Sequence, residues 1–320
     1  MLIPRPVVGF LASIARGTRH VGAGLVCAIL AGCATVAPGP VVLAPADAGP
    51  LVQVQRPGRA VVGLALGGGS LRGFAHIGVL KVLEAEGVTA DLVVGTSVGA
   101  VVGALHAAGL PADAVEKATG ELDWSLFSDL VLPRLGLVSG ERIEEFINRH
   151  VRYRPIEALA MPFAAVATDA QDGSLAVFNR GNTGMAVRAS ASVPVVFQPV
   201  RIGSRQYIDG GLVSPVPIAT ARAMGADIVI AVNVTYRPTE SRLRNPLDLM
   251  FQMMLIMANT INTRTLREAD VLIEALPPDT KVSLANRAAL IRAGEDAARA
   301  ALPRIRAVLA AASARRAAER

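Results

Sequence analysis

The sequence predicts an α/β protein, a three-layer α/β/α sandwich built on a mostly parallel central sheet. An apolar run of strand length, Ala60–Leu66, is followed by a glycine-rich loop and a helical pattern. A second strand at Asp91–Thr96 leads into a second helix, and this repeated strand–loop–helix order is typical of a parallel sheet covered by helices on both faces. The chain has 320 residues, of which 52% are hydrophobic, so it can bury one large core.

The two opening strand–helix units are the clearest elements of the sequence. In the first unit, the loop GGGSLRG precedes a helix whose apolar residues, among them Ile77 and Leu80, recur at helical spacing until Gly87. In the second unit, the strand ends in a tight turn, and a helix of small residues is predicted over Val98–Ala108.

Further strands are predicted at Pro162–Ala170, Ser174–Asn179, Arg205–Asp209, Ala226–Val234 and Asp270–Leu276. Ala226–Val234 is apolar throughout, which fits a central strand. Glu121–Arg154 is predicted to be a helical excursion, and the tail from Ala285 a helix interrupted near Pro303 with a solvated, arginine-rich end. Since no internal repeat is seen, residues 59–320 are predicted to form one domain.

The N-terminus predicts a cleaved targeting segment over residues 1–32. Arg5, Arg16 and Arg19 form a positive region before the apolar stretch Val21–Ala31, which is too short to span a bilayer. An ordinary secretory signal peptide has these features.

The end of this segment, Leu30–Cys33, resembles the lipobox of bacterial lipoproteins. That resemblance implies cleavage before Cys33 and attachment of a diacylglycerol to its thiol. With Ala34 next, it implies sorting to the outer membrane, facing the periplasm. Residues 33–58, rich in Pro, Ala and Gly, are then expected to be an extended tether. The alternative is an ordinary signal with an incidental cysteine.

The charge distribution argues against a nucleic-acid partner. The formal net charge is +6, but three of the arginines lie in residues 1–32, which contain no acid, so the rest of the chain carries +3. No basic face with interleaved aromatic residues is present, and nucleic-acid binding is therefore not predicted.

The segment GTSVG puts Ser97 at the apex of a sharp strand-to-helix turn that Gly95 and Gly99 permit. A serine hydroxyl becomes a nucleophile when a base, most often histidine, takes its proton. The chain has four histidines, and none follows His150, whereas the α/β-hydrolase order needs a histidine downstream of both serine and acid. His106 lies on the helix of Ser97 and points away from its start, so the base is sought elsewhere.

Two other segments offer a candidate base and candidate oxyanion donors. Asp209 ends a predicted strand and precedes two glycines, which alone indicate only a turn. The loop Gly67–Gly73 lies between a strand and a helix, where backbone N–H groups and the positive helix end suit an oxyanion. Arg72 stands where a dinucleotide-binding fingerprint needs glycine, and Phe74 follows Gly73 where a P-loop needs lysine, so both nucleotide motifs are excluded.

In this order, Gly-Gly-x-x-Arg-Gly, Gly-x-Ser-x-Gly and Asp-Gly-Gly resemble the motifs of the patatin-like phospholipases. The stretches Ala186–Val200 and Gly211–Ile218 add to the resemblance, which covers about Val61–Ile218. It implies the patatin-like fold and hydrolysis of lipid acyl esters by a Ser–Asp dyad. In that dyad Ser97 attacks the ester carbonyl and Asp209 acts as general base.

The resemblance also implies the groups around the dyad. The oxyanion would be held by backbone N–H groups of Gly68, Gly69 and Ser70. Arg72 would order this loop or meet an anionic head group, and Ser70 departs from the glycine that the family commonly has there. His76, just after the loop, is predicted to be structural. Neither a metal nor a cofactor is expected.

The expected substrate is a phospholipid or lysophospholipid. Two alternatives stay open: a non-catalytic envelope lipoprotein that binds lipid or a partner, and an esterase or thioesterase for soluble substrates. A helix is predicted to start at Asn245 and Pro246. Its methionines are Met250, Met253, Met254 and Met257. They fit either ordinary core packing or a pliable apolar wall for an acyl chain.

Overall fold

An eight-stranded mixed sheet runs through the computed structural model, which describes residues 45–121, 129, 135–235, 238, 243–275 and 282–318. Its strands are β1 (Val62–Leu66), β2 (Leu92–Thr96), β4 (Phe163–Asp169), β5 (Leu175–Phe178), β7 (Val200–Ile202), β8 (Arg205–Asp209), β9 (Ile228–Asn233) and β10 (Val271–Glu274). The strands β3 (Gly136–Val138) and β6 (Val195–Phe197) pair in a separate small sheet.

Strand neighbours follow the order β10-β9-β1-β2-β4-β8-β7, and β5 pairs with β4. All pairs from β10 to β4 are parallel, whereas β5, β7 and β8 pair antiparallel. The prediction of a mostly parallel sheet is therefore confirmed, and the apolar run that forms β9 has a strand on each side.

The central strands are buried on both faces. In β1, Leu64 and Leu66 belong to the larger apolar core, whereas Ala65 belongs to a second core on the other face. A strand covered on both faces needs apolar residues at every position, which explains why these segments read as unbroken apolar runs.

The helices are α1 (Phe74–Ala85), α2 (Val98–Ala107), α3 (Ala112–Gly120), α4 (Glu141–His150), α5 (Thr183–Ser190), α6 (Ile218–Ala223), α7 (Pro246–Thr265) and α8 (Arg287–Ala318). Residues of α1–α5 and α8 build the larger core, and Ile218 and Ala221 of α6 build the second. Helices thus cover both faces, and the three-layer prediction is confirmed. No helix among the described residues combines the length and apolar character that a membrane crossing requires.

The C-terminal helix α8 is continuous, so the predicted interruption near Pro303 is wrong. Residues on both sides of the proline, Ala298 and Ile305, are fully buried, and their packing holds the helix together across the lost hydrogen bond. α8 crosses α1 closely, because Cβ atoms on Gly78 and Gly294 would each lie 1.9 Å from a carbonyl oxygen of the other helix. This crossing anchors α1, which follows the glycine-rich loop.

The region Glu121–Arg154 is only partly the predicted helical excursion. It contains α4 but also β3, whose Gly136 pairs with Val195 of β6. The short strand escaped prediction because its partner lies far along the chain. Gly136 permits the pairing, since a Cβ there would lie 2.3 Å from backbone atoms of Phe197.

The segment before β1 packs on the domain from residue 45 onward. Ala46 and Val54 are buried, and the amide of Val54 donates to the Met224 carbonyl at 2.9 Å. The tether predicted over residues 33–58 is therefore wrong for residues 45–58. The targeting segment, Cys33 and the remainder of that tether lie outside the described residues.

Candidate active site

Ser97 stands at the junction of β2 and α2 with φ 55° and ψ −123°, a backbone conformation that residues with side chains rarely adopt. A Cβ on Gly95 would lie 2.4 Å from the Gly99 carbonyl oxygen, and one on Gly99 would lie 2.1 Å from the Leu66 carbonyl oxygen. Only glycine fits at both positions, and the sharp turn expected around Ser97 is present.

Asp209 is brought to Ser97 by the pairing of β4. This strand pairs with β2 through its first four residues, with β8 through its last three, and with β5 through residues that overlap both. β5 therefore occupies one edge of β4, and β2 and β8 share the other edge end to end. Thr96 pairs with Val166 and Asp209 with the next residue, Ala167, so serine and aspartate meet where the two strands meet.

The Asp209 carboxylate is 4% exposed, lines the same cavity as Ser97 and accepts a hydrogen bond from the Gly211 N–H at 2.7 Å. Burial raises the pKa of Asp209 to about 6, because the cost of desolvating the charge outweighs the influence of the Ser97 hydroxyl and the Gly211 N–H, which lower it. At neutral pH the carboxylate is mostly ionised and can accept the proton of the serine.

The glycine-rich loop supplies fewer free donors than the sequence predicts. The Gly68 N–H donates to the Pro215 carbonyl at 2.9 Å, so the expectation that it holds an oxyanion is wrong. Within the described part of the chain, no acceptor is found for the N–H groups of Gly69 and Ser70. Both residues line the cavity that holds the serine and the aspartate, so they are the remaining donors.

The conformation of this loop accounts for its glycines. A Cβ on Gly69 would lie 2.3 Å from the Val234 carbonyl oxygen, which requires glycine there. Ser70 adopts φ 52°, a strained value for serine, where the family commonly has glycine. A Cβ on Gly68 would lie 3.3 Å from the Ser97 Cβ, so the loop packs directly against the serine.

Two side chains support the loop from beneath. Arg72 is 5% exposed and lines neither cavity at Ser97, which agrees with ordering the loop and not with meeting a head group. His76 is fully buried, and its Nε2 lies 2.8 Å from the Gly67 carbonyl oxygen. Burial lowers the pKa of His76 to about 4, so the ring is neutral and donates to that carbonyl.

The other described histidines are remote from the serine. His106 lies in the last turn of α2, about 13 Å along the helix axis from Ser97. His150 ends α4, where its Nδ1 lies 2.8 Å from the Phe146 carbonyl oxygen. Neither residue lines the cavities at Ser97.

Three hydroxyl side chains that the sequence did not single out as functional hold the pair in position. Ser190 accepts from the Ser97 N–H at 2.9 Å and donates to the Val166 carbonyl. Thr96 donates to the Ser214 carbonyl at 2.8 Å, and Thr168 donates to the Asp209 carbonyl at 2.8 Å. Such contacts depend on tertiary structure, and no local sequence pattern around Ser190 or Thr168 predicts them.

Two cavities meet at Ser97. The first has a volume of about 180 Å³ and runs between α2 and α4. Its walls are almost entirely apolar, including Val98, Val101, Ile143 and Phe146. Its shape and lining suit a hydrocarbon chain.

The second cavity, of about 380 Å³, contains Ser97, Asp209 and the donors of the loop. α7 forms its outer wall through Phe251, Met254, Leu255 and Ala258. Of the four methionines predicted to line a core or a wall, only Met254 lines this cavity. Core packing is wrong for Met253 and Met257, which are 57% and 48% exposed.

Within the described ranges, no group of three or more His, Cys, Asp or Glu side chains is arranged to hold a metal ion. What the site offers is a serine hydroxyl, a buried carboxylate, two backbone donors and an adjoining apolar cavity.

Residues 64–222 match the family model described as patatin-like phospholipase. A protein of Mycobacterium tuberculosis named "Uncharacterized NTE family protein" is 37% identical over 175 residues, 54% of this chain and 49% of its own. "Lysophospholipase NTE1" of Coccidioides immitis is 34% identical over 181 residues, 54% of this chain and 11% of its own. The chain thus spans about half the length of the first relative and a smaller part of the second.

Among solved structures, VipD from Legionella pneumophila aligns with 82% of this chain and 69% of its own. The two are 13% identical, with a TM-score of 0.45.

Proposed function

Because this chain belongs to the patatin-like phospholipase family, we propose that it hydrolyses acyl esters of lipids with Ser97 as nucleophile and Asp209 as general base. The observation that carries the proposal is the meeting of these two side chains, from strand ends 112 residues apart, in one cavity. No described histidine lines that cavity, so the carboxylate is the base available to the serine.

The reaction begins when the Ser97 hydroxyl attacks the ester carbonyl carbon and its proton passes to the Asp209 carboxylate. The negative charge that develops on the carbonyl oxygen is stabilised by the N–H groups of Gly69 and Ser70. Asp209 then returns the proton to the leaving alcohol, and an acyl-serine ester remains. Water, deprotonated by Asp209, attacks this ester and releases the fatty acid, after which Ser97 recovers its proton.

The substrate class proposed is a phospholipid or lysophospholipid. The acyl chain would lie in the apolar cavity between α2 and α4, and the head-group side would face the second cavity. A relative is named a lysophospholipase, which supports this class. Soluble esters or thioesters are the second candidate, favoured by the small volume of the apolar cavity, about 180 Å³.

Ser97→Ala and Asp209→Asn should each lower the rate on a short-chain chromogenic ester by about a thousandfold or more, since both groups act in the same steps. His106→Ala serves as the control and should retain near-normal activity. Circular dichroism of each variant checks that the fold persists. Near-normal activity of Asp209→Asn would contradict the dyad.

Labelling with a serine-reactive fluorophosphonate separates the enzyme from a non-catalytic binding protein. The wild-type protein should be labelled and Ser97→Ala should not. Comparing hydrolysis rates of monomeric and micellar substrates then distinguishes a lipid hydrolase from an esterase for soluble substrates. A lipid hydrolase should hydrolyse the micellar substrate faster than the monomeric one.

We also propose that the protein is a lipoprotein of the bacterial cell envelope, anchored through Cys33 and facing the periplasm from the outer membrane. Support comes from the positive N-terminal region, the apolar stretch after it and the lipobox-like Leu30–Cys33. Metabolic labelling with a fatty-acid analogue should mark the wild-type protein and not Cys33→Ala. Equal labelling of both proteins would refute the anchor.

A further inference from the structure

The helix α7 is apolar on two opposite faces. Its inner face lines the cavity of Ser97 and Asp209. Its outer face, defined here as Leu249, Met253, Ile256 and Met257, is 48–57% exposed. These four residues follow one another at i, i+4, i+7 and i+8, which aligns them along one side of the helix.

A second exposed apolar group borders the same site. It consists of Leu135, Leu137 and Val195 on and beside the small β3–β6 sheet, which are 58%, 45% and 46% exposed. Val193, two residues before Val195, lines both cavities. We call these three residues the β3–β6 rim.

Exposed apolar side chains are costly in water, and a row of them along one side of a helix beside a cavity marks an interaction site. A helix in contact with water on one side ordinarily carries charged residues there. On α7, the fifteen residues 249–263 contain no charged side chain at all.

The charges that flank the outer face favour an anionic lipid surface as its occupant. Arg244 precedes α7, and Arg264 and Arg267 follow the uncharged stretch; all three are exposed. Among the described residues that flank α7, the acids are Asp248, which accepts a hydrogen bond from the Arg244 N–H at 2.9 Å, and the exposed Glu268. An apolar face between basic ends matches the boundary between acyl chains and anionic head groups.

We propose that the outer face of α7 and the β3–β6 rim dock the protein on an anionic phospholipid bilayer, with the catalytic cavity opening at the lipid surface. This inference rests on the proposed function, because it gives a reason for apolar surface on both sides of α7. A lipid leaving the bilayer would then pass from the outer to the inner face of one helix without crossing water.

Insertion is tested with tryptophan reporters in the full chain, all carrying Cys33→Ala so that no lipid is attached there. Met253→Trp is the test variant. Leu175→Trp is the matched control, because Leu175 is 48% exposed, lines neither cavity and lies on β5, on the opposite edge of β4 from Ser97. The probe is a vesicle of phosphatidylcholine and phosphatidylglycerol that carries a doxyl quencher in the acyl chains.

Fluorescence of Met253→Trp, after subtraction of the Cys33→Ala parent signal, should be quenched several-fold more than that of Leu175→Trp. Pure phosphatidylcholine vesicles should quench it less. Equal quenching of both variants would overturn the docking surface. So would a stable dimer in light scattering that leaves Met253→Trp unquenched, since a second copy would then cover this face.

Activity separates this inference from the proposed function. Met253→Asp combined with Met257→Asp should lower vesicle phospholipid hydrolysis several-fold and leave hydrolysis of a soluble short-chain ester unchanged, whereas Leu175→Asp should change neither rate. An unchanged vesicle rate in the double variant overturns docking while the dyad stands. Loss of the soluble-ester rate in Ser97→Ala alone bears on the dyad and not on docking.

Discussion

The position of Asp209 is a compromise between burial and charge. A buried carboxylate resists ionisation, which raises its pKa, and the Ser97 hydroxyl and the Gly211 N–H limit that rise. The resulting pKa of about 6 is well suited to a general base at neutral pH. The group is ionised there and yet remains basic enough to take a proton from a serine.

This pKa predicts how the rate depends on pH. Since only the ionised carboxylate accepts the proton, kcat/KM on a soluble ester should rise with pH, reach half its plateau near the Asp209 pKa of about 6, and level off above it. His76 should not contribute, because burial lowers its pKa to about 4. Initial rates measured from acid to mildly alkaline pH give the profile, and a midpoint near the value of an ordinary carboxyl, about 4, would contradict a buried Asp209 as the base.

At the scale of single elements, α2 serves two purposes. Its first turn carries the serine, and one of its faces lines the apolar cavity through Val98, Val101 and Val102. The spacing i, i+3, i+4 fixes both roles in one rigid helix. In the proposed mechanism, acyl-chain-length preference is therefore tied to the same helix that positions Ser97.

Val101→Phe should shorten the preferred acyl chain. The larger ring fills part of the apolar cavity, and each excluded methylene removes about 1–3 kcal/mol of binding. The rate on long-chain relative to short-chain esters should fall at least about tenfold. His106→Phe puts the same ring at the far end of α2 and should leave the ratio unchanged. A ratio unaffected by Val101→Phe would mean that the chain lies elsewhere.

For the molecule as a whole, burial of the ionised Asp209 carboxylate lowers the free energy of unfolding at neutral pH. The folded state binds the Asp209 proton more tightly than the unfolded state, because its pKa rises from an ordinary 3.8 to about 6. The stability that this proton contributes is fully present below pH 3.8 and is lost as pH rises through about 6.

Asp209→Asn should therefore stabilise the protein above pH 6 while it inactivates the enzyme. The gap between 3.8 and about 6 corresponds to about 3 kcal/mol at full ionisation. Urea unfolding at mildly alkaline pH should show a gain of up to that size, and the gain should shrink as the pH falls toward 4. If Asp209→Asn is less stable than the wild type at both pH values, burial of the Asp209 carboxylate does not destabilise the folded protein.

Elements whose causes are local could be predicted from the amino-acid sequence. Gly95 and Gly99 lie within two residues of Ser97, so the turn that they permit can be predicted from this short segment alone. The first two strand–helix units, the strand ending at Asp209 and the helix starting at Asn245 were likewise predicted from neighbouring residues. Local backbone preference and apolar periodicity are short-range properties, and they survive folding.

Features that depend on partners distant in sequence could not be predicted and became visible in the folded chain. The carbonyl of Pro215 occupies the Gly68 amide and leaves Gly69 and Ser70 as donors. The sharing of one β4 edge by two strands brings Asp209 to Ser97. Periodicity predicted the methionine helix, yet which of its faces meets the cavity and which meets water follows from its packing in the fold, because a helix that is apolar on two opposite faces does not show by its sequence which of them is buried.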